Sequence, residues 1–300
     1  MIGPVRPLLP TAFFQLFPNI TMHLISPTRR IVASLALAVV LLHGNSSAAD
    51  NPAPIPASAP DAPVAKGPPL ALPFTDDFES GGLNAAVWVP HIANGGTVTA
   101  VQGKGGYGKY VVQAHLPAAA NRAIALVGTT RLPDSLSGHA FGRAYVYITP
   151  NGPTRHAVLT YSGTAGWPDA NWLEVGMYEG SVQPSYQQQK RSLPQPERGE
   201  AVAFGKKLPT GKWFCLEWEV TDSPNALTVW ADGEEVSKDV FAFKTFGNTN
   251  LVKGFAEFGF GIRVFGPVPN AFDVYYDNIA FDTKRIGPMK NPPAAMPVAP

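Results

Sequence analysis

Arginine, histidine, tyrosine and glutamate recur through the middle of this chain, and these are the residue types that neutralise an anion and move protons near neutral pH. Arg143 alternates with Tyr145 and Tyr147, His156 lies on the following segment, and Trp172, Glu174 and Tyr178 share one parity, with Gln183 and Tyr186 shortly after. Arg263 repeats the motif near the far end. Arg143 offers a cation able to hold a carboxylate, His156 a base or second neutraliser, and Tyr178 or Tyr186 a phenol to deliver or accept a proton. Tyr145, Tyr147 and Trp172 add flat apolar faces on which a ring-bearing ligand can stack. Each has a plainer reading beside it. A single strand histidine is ordinarily a hydrogen-bonded surface group, sheet aromatics pack against their neighbours, and Tyr186 precedes the run Gln187 to Gln189, which reads equally as a flexible turn.

The elements that must position these residues show themselves by period two, which sends alternate side chains to opposite faces of a sheet. In Gly142 to Ile148 the set Ala144, Val146, Ile148 reads as core, leaving Arg143, Tyr145 and Tyr147 on the other face. In Asn171 to Tyr178 the core set is Leu173, Val175, Met177, leaving Trp172, Glu174 and Tyr178. Arg155 to Tyr161 places His156, Val158 and Thr160 together, and the row Phe258, Phe260, Ile262, Val264 leaves Glu257 and Arg263 facing the other way. Lys212 to Val220, Ala226 to Ala231 and Glu234 to Val240 read as a strand followed by a hairpin turning at Asp232 and Gly233, and Phe272 to Phe281 closes the domain. Many short strands without a helical period predict an all-β, two-sheet antiparallel sandwich of the jelly-roll type. The expectation is that Arg143, His156, Trp172, Glu174 and Tyr178 share one concave face.

A net charge of +1 with 15% charged residues gives no basic footprint, so neither nucleic acid nor an anionic membrane is an expected partner. Cys215 is the single cysteine, which excludes an internal disulfide and a thiolate metal cluster and reads as an inert, half-buried thiol. The 29 glycines and 31 prolines fit many tight turns. Arg29 and Arg30, the apolar run Ile31 to Leu42 and the small residues ending at Ala49 have the three-part plan of a secretory signal. That run is too short to span roughly 30 Å of hydrocarbon. Residues 1–49 are therefore expected to be a signal peptide of the Sec type, with Met22 an alternative start and a secreted or periplasmic product; the twin-arginine route fits the residues after Arg30 less well. Residues 50–72 read as a Pro/Ala-rich linker, 73–286 as the folded domain, a monomer, and 287–300 as a Pro-rich tail in solvent.

Asp76, Asp77, Phe78, Glu79 followed by Trp88; Leu208, Pro209, Thr210, Gly211 followed by Cys215, Glu217 and Trp218; and Tyr276, Asp277, Asn278, Ile279 together form a set. The set resembles the fungal cellulose-induced secreted proteins and their bacterial relatives, a polysaccharide-lyase-like branch of the concanavalin-like jelly rolls related to glucuronan and alginate lyases. The likeness runs from about Phe74 to Ile286. It implies a structural calcium ion, with Glu79 and Asp277 at the positions of acidic ligands; the plainer reading is that Asp76, Asp77 and Glu79 solvate the first turn. It also implies β-elimination on a uronic acid polymer such as glucuronan. Arg143, His156, Tyr178 and Tyr186 would then be catalytic, and Tyr145, Tyr147, Trp172, Glu174, Gln183 and Arg263 would bind the substrate. Gln183 and Gln187 echo the alginate-lyase pattern only loosely. A non-catalytic carbohydrate-binding protein is the alternative. A glucanase is a lesser one, because Glu174 and Glu179 are separated by an odd number of residues, which puts them on opposite faces, and Gly176 stands where that family carries an aspartate.

Overall fold

The computed structural model describes residues 67–102, 106–153, 156–164, 170–189, 197–201, 205–240 and 252–290. The expected signal peptide, most of the linker and the last ten residues lie outside them. Among the described residues no helix is long and apolar enough to cross a membrane.

Among the described residues fifteen strands follow in chain order, β1 (Phe74–Asp76), β2 (Val89–Ala93), β3 (Thr97–Gln102), β4 (Tyr110–Leu116), β5 (Ile124–Thr129), β6 (His139–Ile148), β7 (Ala157–Gly163), β8 (Asn171–Tyr178), β9 (Ser181–Gln189), β10 (Glu197–Ala201), β11 (Trp213–Asp222), β12 (Asn225–Ala231), β13 (Glu234–Val240), β14 (Glu257–Val264) and β15 (Phe272–Asp282). They pair into two antiparallel sheets. The first has eight strands in the order β13-β12-β11-β6-β15-β4-β3 with β1 beside β15; the second has seven in the order β10-β9-β8-β7-β14-β5-β2. This is the two-sheet antiparallel sandwich of a concanavalin-like jelly roll.

The core is built by the alternation read from the sequence. Ala144, Val146 and Ile148 of β6 and Phe214, Leu216, Trp218 and Val220 of β11 meet Leu173, Val175 and Met177 of β8 and Phe258, Phe260, Ile262 and Val264 of β14 in one apolar cluster. Trp88 lies edge-on to Phe260 at 5.0 Å and donates its indole N–H to Asp76 Oδ2 at 2.7 Å, so Asp76 is committed to the fold. Tyr276 of β15 crosses between the sheets, donating its hydroxyl toward Leu159 O (3.0 Å) and Gly261 O (2.6 Å). These carbonyls lie where the pairing of β7 with β14 and β8 slips, and Gly261 holds φ +128° there with no room for a Cβ against Ala125 O. The slip also corrects one expectation. Thr160 pairs with the core residues Phe260 and Val175, so it faces inward and not with His156.

Both ends of the domain reach further than 73–286. Leu70 donates its N–H to Arg131 O at 2.8 Å, and Leu70 and Leu72 pack on the core. At the other end Gly287 N donates to Glu217 Oε2 (2.9 Å) and Met289 N to the Tyr145 hydroxyl (2.8 Å).

Candidate functional site

The predicted residues divide between two faces. β6 carries Arg143, Tyr145 and Tyr147 on the outer side of the first sheet. β8 and β14 carry Trp172, Glu174, Tyr178 and Arg263 on the outer side of the second, with the core between them. The expectation of a single face holding Arg143 with His156, Trp172, Glu174 and Tyr178 is corrected accordingly. Each parity assignment holds within its own strand; the strands belong to different sheets.

On the first sheet, Arg143 is buried opposite Glu217 in register, with Nη2 directed at Asn278 O (3.4 Å) and Nη1 at Gly287 O (3.5 Å). Glu217 is taken by Arg285, whose Nη2 donates to its Oε1 at 3.0 Å. Tyr145 accepts the Met289 N–H, and Tyr147 stands in a cross-strand row with Trp213 (5.8 Å) and Tyr275 (6.0 Å). The segment after β15 thus lies over Arg143 and Tyr145. Burial pushes the Cys215 thiol up to about 12, aided by the nearby Glu217 charge, in keeping with an inert sulfur.

The second sheet gathers most of the remaining residues. Trp172 and Glu174 on β8 stand beside Gln187 and Ser185 on β9 in register, and Gly176 stands beside Gln183. Ser185 Oγ donates to Glu174 Oε2 at 3.0 Å and lies 3.4 Å from His156 Nε2. The His156 ring stacks on Phe265 at 4.6 Å, and Gly176 leaves the space its imidazole fills, since a Cβ there would come within 3.0 Å of Nε2. Arg263 lies over Phe265 (4.4 Å) and Trp172 (5.7 Å) and points Nη1 at Glu174 Oε1 from 3.9 Å. Glu174 is 0% exposed and Arg263 2%, whereas Tyr178 at the strand end is 36% exposed. Beside it, a cleft of about 430 Å³ is lined by Pro150, Pro153, Met177, Glu179 and Thr210. This opening lies at the end of the face, by the β8–β9 turn, and not over the charged residues.

Burial sets the protonation of this face. It raises the Glu174 carboxyl to about 8, partly opposed by the Ser185 hydrogen bond, and lowers His156 to about 4. At neutral pH the imidazole is therefore neutral and Glu174 mostly carries its proton, so the two groups hold protons in the reverse of their usual order. Tyr186 is not on this face. It points into the core, 0% exposed, with its hydroxyl 3.4 Å from Asn171 Oδ1, because Gln183, Ser185 and Gln187 occupy the outward parity of β9. Burial pushes its phenol well up, and from the core it cannot reach a ligand on the outer face, against the catalytic role expected of it. Glu179 leaves the strand in a turn with φ +48°, and its carbonyl accepts from Lys207 Nζ, so it forms no pair with Glu174 across the face.

Three residues were missed, Ser185, Tyr161 and His91, and Glu257 was given its outward face but no role. Ser185 was legible from the alternation Gln183, Ser185, Gln187. Tyr161, Glu257 and His91 form a second buried group on the same sheet: the Tyr161 hydroxyl donates to Glu257 Oε1 at 2.7 Å, and His91 Nε2 meets the same oxygen at 2.6 Å. Tyr161 stacks on Trp172 at 4.6 Å over Gly128 and Gly259, whose missing side chains make its space. β2, which carries His91, was not recognised.

The acidic set lies apart, on the outer side of the first sheet. Glu79 Oε1 accepts from Lys109 N (2.8 Å) and Tyr110 N (3.0 Å); Asp277 accepts from Tyr107 N (2.7 Å) and Asn278 N (2.7 Å). Burial raises the Asp277 carboxyl to about 6, with the charges of Glu79 and Asp77 adding to the rise against those hydrogen bonds. Gly106 and Gly108 allow the backbone to lie against the two carboxylates. Hard oxygen donors that repel one another fit the chemistry of calcium, although no group of three or more His, Cys, Asp or Glu among the described residues is arranged to hold a metal.

Two antiparallel sheets packed face to face, with a polar and aromatic row on the outer side of one, define a concanavalin-like jelly-roll β-sandwich. The polysaccharide-lyase-like family model, described as the Cip1-like core domain, matches residues 77–283, and the chain belongs to that family. Among solved structures it is similar to the cellulose-induced protein Cip1, at 18% identity over 72% of this chain and 100% of that one with a TM-score of 0.51. It is also similar to a family-16 glycoside hydrolase of the Bacteroides ovatus mixed-linkage glucan locus, at 13% identity over 70% and 99% with a TM-score of 0.50. A third is alginate lyase vAL-1 from Chlorella virus, at 15% identity over 61% and 88% with a TM-score of 0.44. No curated protein matches the chain.

Proposed function

We propose that this chain is an exported carbohydrate-binding jelly-roll protein that engages a polysaccharide along the outer face of its second sheet. The observation that carries the reading is the row of Arg263, Glu174, Ser185, Gln183 and Trp172 packed beneath the outer surface of this sheet, with the half-buried His156 and the exposed Tyr178 as its reachable members. The His156 imidazole can hydrogen-bond a sugar hydroxyl, and Tyr178 offers an accessible ring to stack on. Export rests on the sequence of residues 29–49.

One observation favours a second reading, β-elimination on a uronic acid polymer. A neutral His156 supplies a base on the reachable part of the face, and Tyr178 supplies a phenol at its exposed end. Structural calcium at Glu79 and Asp277 belongs to the same proposal; bound there, it would neutralise the acidic set and tie the first turn to β15.

Affinity electrophoresis of the full chain in gels containing β-glucans, glucuronan or alginate, together with ultraviolet absorbance for an unsaturated product, tests both readings. Retardation without new absorbance supports binding alone. Retardation with absorbance that vanishes in His156→Ala supports elimination. No retardation by any polymer overturns the proposal.

A further inference from the structure

Ser185 is the residue of the second-sheet face whose position no role so far explains. Its hydroxyl lies between two titratable groups that do not touch each other, 3.0 Å from Glu174 Oε2 and 3.4 Å from His156 Nε2. Glu174 is fully buried and its Oε1 makes no hydrogen bond among the described residues; the Arg263 guanidinium of β14 stands 3.9 Å from it. Its register partner on β7 is Tyr161, whose hydroxyl is turned away to Glu257 of β14, which His91 of β2 also meets. A carboxyl so enclosed cannot meet a polymer, whereas His156, half-buried against Phe265, is nearer to solvent.

We propose that Ser185 joins His156 and Glu174 into one proton-sharing unit, in which the buried carboxyl sets how readily the imidazole takes or gives a proton at the face. The unit has two arrangements of equal proton count. In one, the Glu174 carboxylic acid donates to Ser185 Oγ and the Ser185 hydroxyl donates to His156 Nε2, which stays neutral. In the other, the Glu174 proton has passed to Ser185 Oγ while the Ser185 proton has passed to Nε2. This leaves a carboxylate, an intact hydroxyl and an imidazolium. When Glu174 is ionised, a proton taken at His156 Nδ1 makes an imidazolium whose Nε2 proton moves to Ser185, as the Ser185 proton moves to Glu174. The burial that weakens His156 as a base and strengthens Glu174 makes that last transfer downhill. Ser185 is thus a positioning residue: it touches no ligand and transmits the basicity of Glu174 to the imidazole. Its use in binding or elimination rests on the reading of this face given above; the coupling itself does not.

The test is a pH titration of the His156 ring nitrogens by NMR in the full chain, without polymer. The wild type should show two steps, one near pH 4 from the imidazole itself and one near pH 8, when Glu174 ionises and the Ser185 hydroxyl turns. Ser185→Ala and Glu174→Gln should each remove the upper step and keep the lower, and Ser185→Thr should retain both. An upper step that survives in Ser185→Ala or in Glu174→Gln, or that is absent from the wild type, overturns the coupling. A chain that shows the upper step yet releases no unsaturated product keeps the coupling and removes the elimination reading. Product without the upper step does the reverse.

Discussion

Glu174 determines the electrostatics of the second-sheet face, because it is the carboxyl on which burial acts most openly. Its folded pKa of about 8 lies above the ordinary 4.5, so between these values the folded chain holds a proton that the unfolded chain has released. Stability from this group is therefore complete below about pH 4.5 and is lost as the pH rises toward 8. His156 works the other way. Its folded value of about 4 lies below 6.5, so its contribution grows across that interval and partly masks the Glu174 slope. Glu174→Gln removes one term and leaves the other. The stability of the variant relative to wild type, measured by urea denaturation at several pH values, should rise steadily from about pH 4.5 to 8. A difference independent of pH would show that Glu174 is ionised throughout.

Within strands, the sequence told most of what the structure holds; between strands it told little. The core rows of β6, β8, β11 and β14 were legible, because alternation is a local property that burial on one side enforces. Which sheet each strand joins depends on pairings such as β6 between β11 and β15, distant in the chain, and no local period encodes them. That is why Arg143 and His156 were each given an outward face correctly and yet placed together wrongly. Tyr186 was misplaced for another reason: Gln187 to Gln189 resembled a turn, although the sequence Gln183, Ser185, Gln187 alternates as a strand. The close-packed glycines of this sheet give an element-scale prediction. Gly259→Ala sets a methyl group into the Tyr161 ring and should lower stability by about 1–3 kcal/mol in chemical denaturation. Gly82→Ala, with open space around it, should change little. Equal effects would mean that Tyr161 is free to move aside.

At the scale of the whole molecule, two sheets packed face to face leave two outer surfaces with different chemistry. The outer side of the first sheet is tied down by Glu217, Arg285, Gly287 and Met289 and carries the acidic set beside β15. Calcium at Glu79 and Asp277 predicts that a chelator lowers the melting temperature, and that the drop is larger above pH 6 than below it. Asp277, raised to about 6, must lose its proton before it can hold a cation. A melting temperature indifferent to chelator at both pH values contradicts calcium there. The second sheet carries Arg263, Glu174, His156 and the exposed Tyr178, and the account stands on this surface being the one that meets polysaccharide. The most direct measurement compares gel retardation by a bound polymer for the full chain, for the double variant His156→Ala, Tyr178→Ala on the second sheet, and for Tyr147→Ala on the first. The account predicts that the double variant loses retardation while Tyr147→Ala keeps it; loss in Tyr147→Ala with retention in the double variant would place the working surface on the opposite sheet and contradict it.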